Sequence, residues 1–162
     1  DRVNTTTTIV SSAAETTNYT FSVPGGTLST NKNLRLTLIG EIVNNTGGNA
    51  DVTPRFKYGG TTYLSGTITV ATNASLRTVV MTSLVSGRGG TGLQDSFASF
   101  EVSDPAASGT LAANNAFRTL GQQPTLAIDS STAQTLLVSI QLGSSSANFS
   151  FVLRTAVLEW IR

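Results

Sequence analysis

Asn33-Leu34-Arg35-Leu36-Thr37-Leu38-Ile39-Gly40-Glu41-Ile42 is the stretch that decides the fold. Leu34, Leu36 and Leu38 fall on one side of an extended chain, and Arg35, Thr37 and Ile39 on the other. A period of two is the mark of a strand with one face against a core.

The same reading extends outward along the chain. Asn18-Tyr19-Thr20-Phe21-Ser22-Val23 alternates and stops at the turn Pro24-Gly25-Gly26. Pro54-Arg55-Phe56-Lys57-Tyr58 alternates too, and Gly59-Gly60 separates it from Thr61-Thr62-Tyr63-Leu64. Two strands around Gly-Gly predict a tight hairpin, because primed turns need positive φ. Further strands are expected at 76–85, 96–102, 125–128, 134–142 and 148–160. In the last, Phe149, Phe151 and Leu153 share a face before the pattern turns more continuously apolar. Gly143-Ser144-Ser145-Ser146 joins it to its predecessor as a second hairpin.

With a Thr-rich first strand over 5–10, this makes about ten strands. The expected class is all-β: an antiparallel β-sandwich, jelly-roll-like, of about 8–10 strands. No break in composition divides the chain, so 1–162 reads as a single domain. The least regular stretch, 104–124, reads as a long connection or a surface lobe, with one short helical turn over 106–118.

Composition removes most chemistry. The 162 residues hold no Cys and no His, and about 28% of them are Ser or Thr. That excludes a disulfide framework, a thiolate nucleophile, an imidazole base and a Ser-His-Asp triad. Ten cations against nine carboxylates give a net charge of +1. Arg35, Arg55, Arg77, Arg88, Arg118 and Arg154 are spaced singly, unlike the clustered cations of a nucleic-acid binder. Purely apolar runs reach about three residues, far short of the roughly 20 that a membrane-spanning helix needs. The N-terminus shows neither an apolar signal core nor an initiator Met, which fits a chain that begins inside a longer product or has been processed. So low a charge gives little protection against self-association. Either hydroxyl groups keep the surface soluble, or much of it is buried in an assembly.

The remaining candidate groups read mainly as structure. Asp95 and Glu101 would share one strand face about 20 Å apart, too far for a glycosidase pair. Asn44, Asn45, Asn49 and Asp51, and separately Asp129, lack the dense spacing of a calcium loop, and turn chemistry accounts for them. Ser86-Gly87-Arg88-Gly89-Gly90-Thr91-Gly92 lacks the Lys of a phosphate loop and leads toward a strand rather than a helix. It reads as a mobile or interface loop with Arg88 at its tip. Asn4, Asn18, Asn44, Asn73 and Asn148 begin Asn-x-Ser/Thr patterns, which a chain so rich in hydroxyls produces by chance. No cofactor site, metal site or catalytic set is expected. Phe21, Phe56, Phe97, Phe100, Phe149 and Phe151 are expected in the core. Trp160 is expected as a core or interface anchor, with sugar stacking alongside Tyr19, Tyr58 and Tyr63 as the alternative.

The order of elements resembles a β-sandwich module of tailed-bacteriophage structural proteins. The residues that carry the likeness begin with the Thr-rich first strand. Asn18-Tyr19-Thr20-Phe21-Ser22-Val23-Pro24-Gly25-Gly26-Thr27-Leu28, the 33–40 strand, Asn44-Asn45-Thr46-Gly47 and Arg55-Phe56-Lys57-Tyr58-Gly59-Gly60-Thr61-Thr62 follow. Asp129-Ser130-Ser131-Thr132-Ala133-Gln134-Thr135-Leu136 and Arg154-Thr155-Ala156-Val157-Leu158-Glu159 complete it. These are turn and strand patterns, spread over almost the whole chain, and no catalytic signature is among them. The resemblance implies a jelly-roll-like fold, usually trimeric, with no reaction to perform. It also implies a place in the virion, either as a capsid decoration (cement) protein bound to the major capsid protein or as a tail-fibre or tail-spike domain that meets a host-surface glycan or protein. In the fibre case, loop tips carry recognition, and Arg88, Tyr58 and Tyr63 are the first suspects. A free carbohydrate-binding module is the further alternative. The expected partners are other copies of the chain and other virion subunits, with no nucleic acid and no membrane.

Overall fold

A computed structural model describes residues 2–3, 6–28, 32–103 and 118–161. It is an all-β sandwich, as the alternation predicts. In chain order the strands are β1 (Arg2–Val3), β2 (Thr7–Val10), β3 (Thr16–Val23), β4 (Asn33–Asn44), β5 (Ala50–Tyr58), β6 (Thr61–Ser65) and β7 (Ile68–Val70). Then follow β8 (Asn73–Gly87), β9 (Gln94–Val102), β10 (Arg118–Gln122), β11 (Thr125–Leu126), β12 (Gln134–Leu142) and β13 (Phe149–Ile161). The larger sheet runs β1-β13-β4-β8-β9-β10, with β2 also on β13 and β11 also on β9. The smaller runs β3-β12-β5-β6, with β7 also on β5. Every pairing is antiparallel.

The deciding stretch lies at the centre of the larger sheet. Leu34, Leu36 and Leu38 of β4 are fully buried and face the smaller sheet, while Arg35 and Ile39 face outward. Val79, Met81 and Val85 of β8 and Phe100 of β9 fill the same layer. From the other sheet come Phe56, Leu136, Val138 and Ile140. Interdigitation of the two inner faces removes these side chains from water, at about 1.5–3 kcal/mol for each large one.

Bulges explain where the alternation slips. The pairing of β13 with β4 shifts between Leu153 and Thr155, so Arg154 is the extra residue. Before it the odd residues Phe149, Phe151 and Leu153 point inward; after it the even residues Ala156 and Leu158 do. The more continuous apolar run is therefore one strand that changes parity. A second shift between Phe56 and Lys57 leaves Tyr63 as the extra residue of β6, and both Tyr63 and Leu64 are buried.

The β5–β6 hairpin forms as expected, with Tyr58 paired to Thr61 and φ of 54° and 80° at Gly59 and Gly60. The hairpin expected at 143–146 does not form: β12 and β13 belong to different sheets, and this segment crosses from one to the other. The Thr-rich strand expected over 5–10 is β2, which begins at Thr7. The strands β1, β7 and β10 are additions to the expected set. The short helical turn lies largely outside the described residues, and the stretch read as a connection delivers β10 at its end. No helix among the described residues is long and apolar enough to cross a membrane.

Candidate functional site

The outward faces of the two sheets differ in chemistry. On the smaller sheet the outward positions are Thr20 and Ser22 of β3, Thr53 and Lys57 of β5, and Thr135 and Leu137 of β12, mostly hydroxyl or charged. The chain between β2 and β3 crosses this face and is fastened there. Lys57 Nζ donates to Glu15 Oε1 at 2.7 Å, Ser139 Oγ donates to the same oxygen at 2.6 Å, and Gln141 Nε2 donates to Ala13 O at 3.0 Å. Arg55 adds an ion pair to Glu15 at 3.5 Å. The hydrogen bond from Lys57, then that from Ser139, holds the Glu15 carboxyl below its usual pKa.

The outward face of the larger sheet is apolar and hydroxyl. Ile39 is 43% exposed and Phe97 39% exposed, although Phe97 belonged to the expected core. It sits on the outward parity of β9, opposite the inward Ala98 and Phe100. Val80 and Leu84 of β8 lie half-buried between them, and Val157 of β13 lies half-buried on the other side of β4, among Thr37, Thr82 and Thr155. The register lines these up in rows: Thr155–Ile39–Val80–Glu101, Val157–Thr37–Thr82–Ser99, and Glu159–Arg35–Leu84–Phe97.

Two ion pairs bound this face on the β4–β13 side. Arg35 donates from Nε and Nη2 to Glu159 Oε2 at 2.9 and 2.7 Å. Arg154, the bulge residue, donates in the same way to Glu41 Oε2 at 2.9 and 2.7 Å. Such exposed pairs add little stability, in the range of about 0–1 kcal/mol each, but they fix where charge stands on the surface.

The structure separates the four residues singled out in the sequence. Tyr58 and Tyr63 are corrected from recognition residues to core residues, at 0% and 2% exposed. Tyr58 lies on the inward parity of β5, and the β6 bulge turns Tyr63 inward. Burial pushes the Tyr58 phenol up to about 12 and raises those of Tyr63 and Tyr19. Tyr63 Oη and Ser83 Oγ share a hydrogen bond of 2.5 Å, which ties β6 to β8 across the core. No sugar platform can form from these tyrosines.

Arg88 is exposed, as expected of a loop tip. Its Nε lies 3.3 Å from Asp95 Oδ2, and its backbone N–H donates to Leu93 O, which closes the loop. Trp160 is 42% exposed. The β13 bulge gives it core-side parity, but it stands past the packed layer. There it borders a depression of about 330 Å³ with Thr27, Lys32 and Ile161. A second depression, of about 420 Å³, lies between β6 and β10 beside Gln122, Gln123 and Pro124.

The turn residues do structural work. Asn44 is fully buried; its Nδ2 donates to Gly48 O and Val70 O, and its Oδ1 accepts from Thr46 N and Oγ1. Asp129 Oδ1 accepts from Ser131 Oγ and N, and these bonds lower its pKa. Asp95 and Glu101 share the outward face of β9, as read from the sequence, and Asp95 is paired with Arg88. Among the described residues no group of three or more acidic side chains gathers into a metal-holding cluster.

No protein-family model matches the chain, and no curated protein matches it in sequence. Among solved structures it is similar to the CBM2 module of the evolved Dit of Lactobacillus casei BL23 phage J-1. The identity is 10% and the TM-score 0.41, over 88% of this chain and 68% of that one. It is also similar to a legume lectin-like domain from Entamoeba histolytica, at 10% identity and a TM-score of 0.34, over 98% of this chain and 88% of that one.

Proposed function

We propose that the chain is a non-enzymatic structural module of a phage virion, a capsid decoration protein that stabilises the shell by binding it. The observation that supports this reading is the outward face of the larger sheet. It presents Ile39, Phe97, Val80, Leu84 and Val157 among threonines, a surface suited to a protein neighbour rather than to a reaction. A module that works in this way needs no turnover. Each bound copy favours the assembled state by mass action, by about 2.7 kcal/mol when the free module stands at a hundred times its Kd. The test is to label the protein on intact particles and view them by electron microscopy. Signal spread over the capsid is expected; signal confined to the tail tip would replace decoration with a fibre role.

A second reading has its own observation. Trp160 is half-exposed beside Lys32 and Thr27, and an indole next to hydrogen-bonding groups suits a sugar ring. Glycan-array binding that Trp160→Ala abolishes would establish this role. A blank array would remove it.

A further inference from the structure

The β4–β13 half of the larger sheet's outward face carries four charges in an alternating square, while β9 adds Glu101 and, paired with Arg88, Asp95. On β4, Arg35 stands at one end and Glu41 six residues away, about 20 Å along the strand. On β13, Glu159 stands beside Arg35 and Arg154 beside Glu41. Reading around the square, the signs alternate. A square of this kind changes sign when it is turned over about an axis in its own plane, so this half of the face is complementary to itself. A strongly basic or strongly acidic partner would find one diagonal repulsive.

We propose that a second copy of this chain covers this face, sheet against sheet, about a two-fold axis that lies in the interface, perpendicular to the strands, at the level of Leu38. This rests on reading the face as a protein-contact surface, not on the virion role. About that axis Arg35 meets the second copy's Glu41, and Glu159 meets its Arg154. Ile39 lies over the second copy's Thr37, and Val80 over its Thr82, so the apolar and hydroxyl rows interleave. Near-aligned packing of two sheets is an ordinary geometry for β structure.

The size of the face fits a reversible pair. Four strands, β13, β4, β8 and β9, spaced about 4.8 Å apart and used over about 20 Å, give roughly 400 Å² in projection on each copy. The two copies together cover roughly 800 Å² in projection, and side-chain relief enlarges this toward about 1,200 Å², the size below which weak, reversible pairs fall. Association in the micromolar range is the expected consequence.

Sedimentation equilibrium of the full chain, from low micromolar to near-millimolar concentration, reads this directly. A monomer–dimer equilibrium is expected, abolished by Ile39→Lys, whose melting temperature stays that of the parent because the position is solvent-facing. The sharper variant is the double swap R35E/E159R. It keeps the intrachain ion pair but sets like charges opposite each other across the two-fold, and dimerisation weakens by at least about tenfold. Adding E41R/R154E restores the alternating square and with it the dimer. A wild type that stays monomeric at near-millimolar concentration overturns the proposal, as does association that Ile39→Lys leaves intact. A trimer, or a dimer indifferent to the double swap, overturns the two-fold packing. A dimer that never appears on labelled particles removes the virion role and leaves this inference standing; a monomer that decorates shells does the reverse.

Discussion

The hydrogen bond between Tyr63 and Ser83 gives the most pointed test of how the sandwich is held together. Tyr63 comes from the smaller sheet and Ser83 from the larger, and both are buried. Ser83→Ala strands the phenol in a low-dielectric layer and is expected to cost about 1–3 kcal/mol. Tyr63→Phe keeps the ring and its tilted packing on Phe56, with centroids 6.1 Å apart, so the loss is confined to the hydroxyl. It should cost less than Ser83→Ala, because the small Ser hydroxyl can turn toward another acceptor. The double variant leaves no orphaned group, so its cost should fall short of the sum of the singles by about 1–2 kcal/mol. Urea unfolding of the four proteins at unchanged slope supplies the numbers through the midpoints. Single variants that add to within about 0.5 kcal/mol would show that the bond does not couple the sheets and would refute the reasoning.

Other outcomes follow from the same geometry. Tyr58 Oη is buried without a hydrogen-bond partner, so Tyr58→Phe should leave the urea midpoint unchanged or raise it by up to about 1 kcal/mol equivalent. The raised pKa values of Tyr19, Tyr58 and Tyr63 mean that the folded state holds its phenolic protons longer than the unfolded chain. Their contribution is complete below the usual tyrosine pKa near 10 and is lost as pH rises toward the folded values, at about 1.4 kcal/mol per pH unit for each phenol. Alkaline melts of Tyr58→Phe should therefore fall less steeply than those of the parent; equal slopes would contradict the buried phenol. Glu15 has the opposite sign: its lowered pKa contributes above the ordinary carboxylate value of 4.5 and is lost as pH falls through the folded value. Because the side chain is about a third exposed, Glu15→Gln should cost below about 1 kcal/mol at neutral pH, with the difference vanishing in acid melts. A Cβ at Gly87 would stand 2.1 Å from the Leu28 carbonyl oxygen, so Gly87→Ala should cost about 2 kcal/mol or more. A melting temperature that does not move would show that the two segments can part freely.

The strands were legible where one face is buried and the other is not. The central β4 is the clearest case, because Leu34, Leu36 and Leu38 alternate with Arg35 and Thr37. Alternation fails wherever a bulge changes parity. The extra residue Arg154 hid the switch inside β13 that sends Trp160 to the rim, and the extra residue Tyr63 put two neighbours of β6 into the core. Tyr58 is a recognition suspect only because it adjoins the Gly59-Gly60 turn in sequence, and nearness to a turn is not exposure. Its strand parity, shared with Val52 and Phe56, was the signal that could have corrected it. The three-residue β7 carries too few residues to show a period.

The outward face of the larger sheet was harder to see, and the reason bears on what it is for. Valine, isoleucine and phenylalanine favour strands, so their presence at solvent-facing positions has a conformational explanation. That explanation applies equally to the smaller sheet. Its outward positions meet the same preference with threonine, which is β-branched but carries a hydroxyl to water, as at Thr20, Thr53 and Thr135. The chain thus has, and uses, a polar residue that satisfies strand geometry. Ile39, Val80, Leu84, Phe97 and Val157 gather on one outward face while the other is mostly hydroxyl and charged, a difference that backbone preference alone does not explain. Exposed apolar area on one side of a sandwich costs solubility, and a net charge of +1 does little to offset that. A partner covering the face removes that cost. The alternating charges of Arg35, Glu159, Arg154 and Glu41 leave the β4–β13 half of the face neutral and complementary to itself, which suits a surface that meets its own kind.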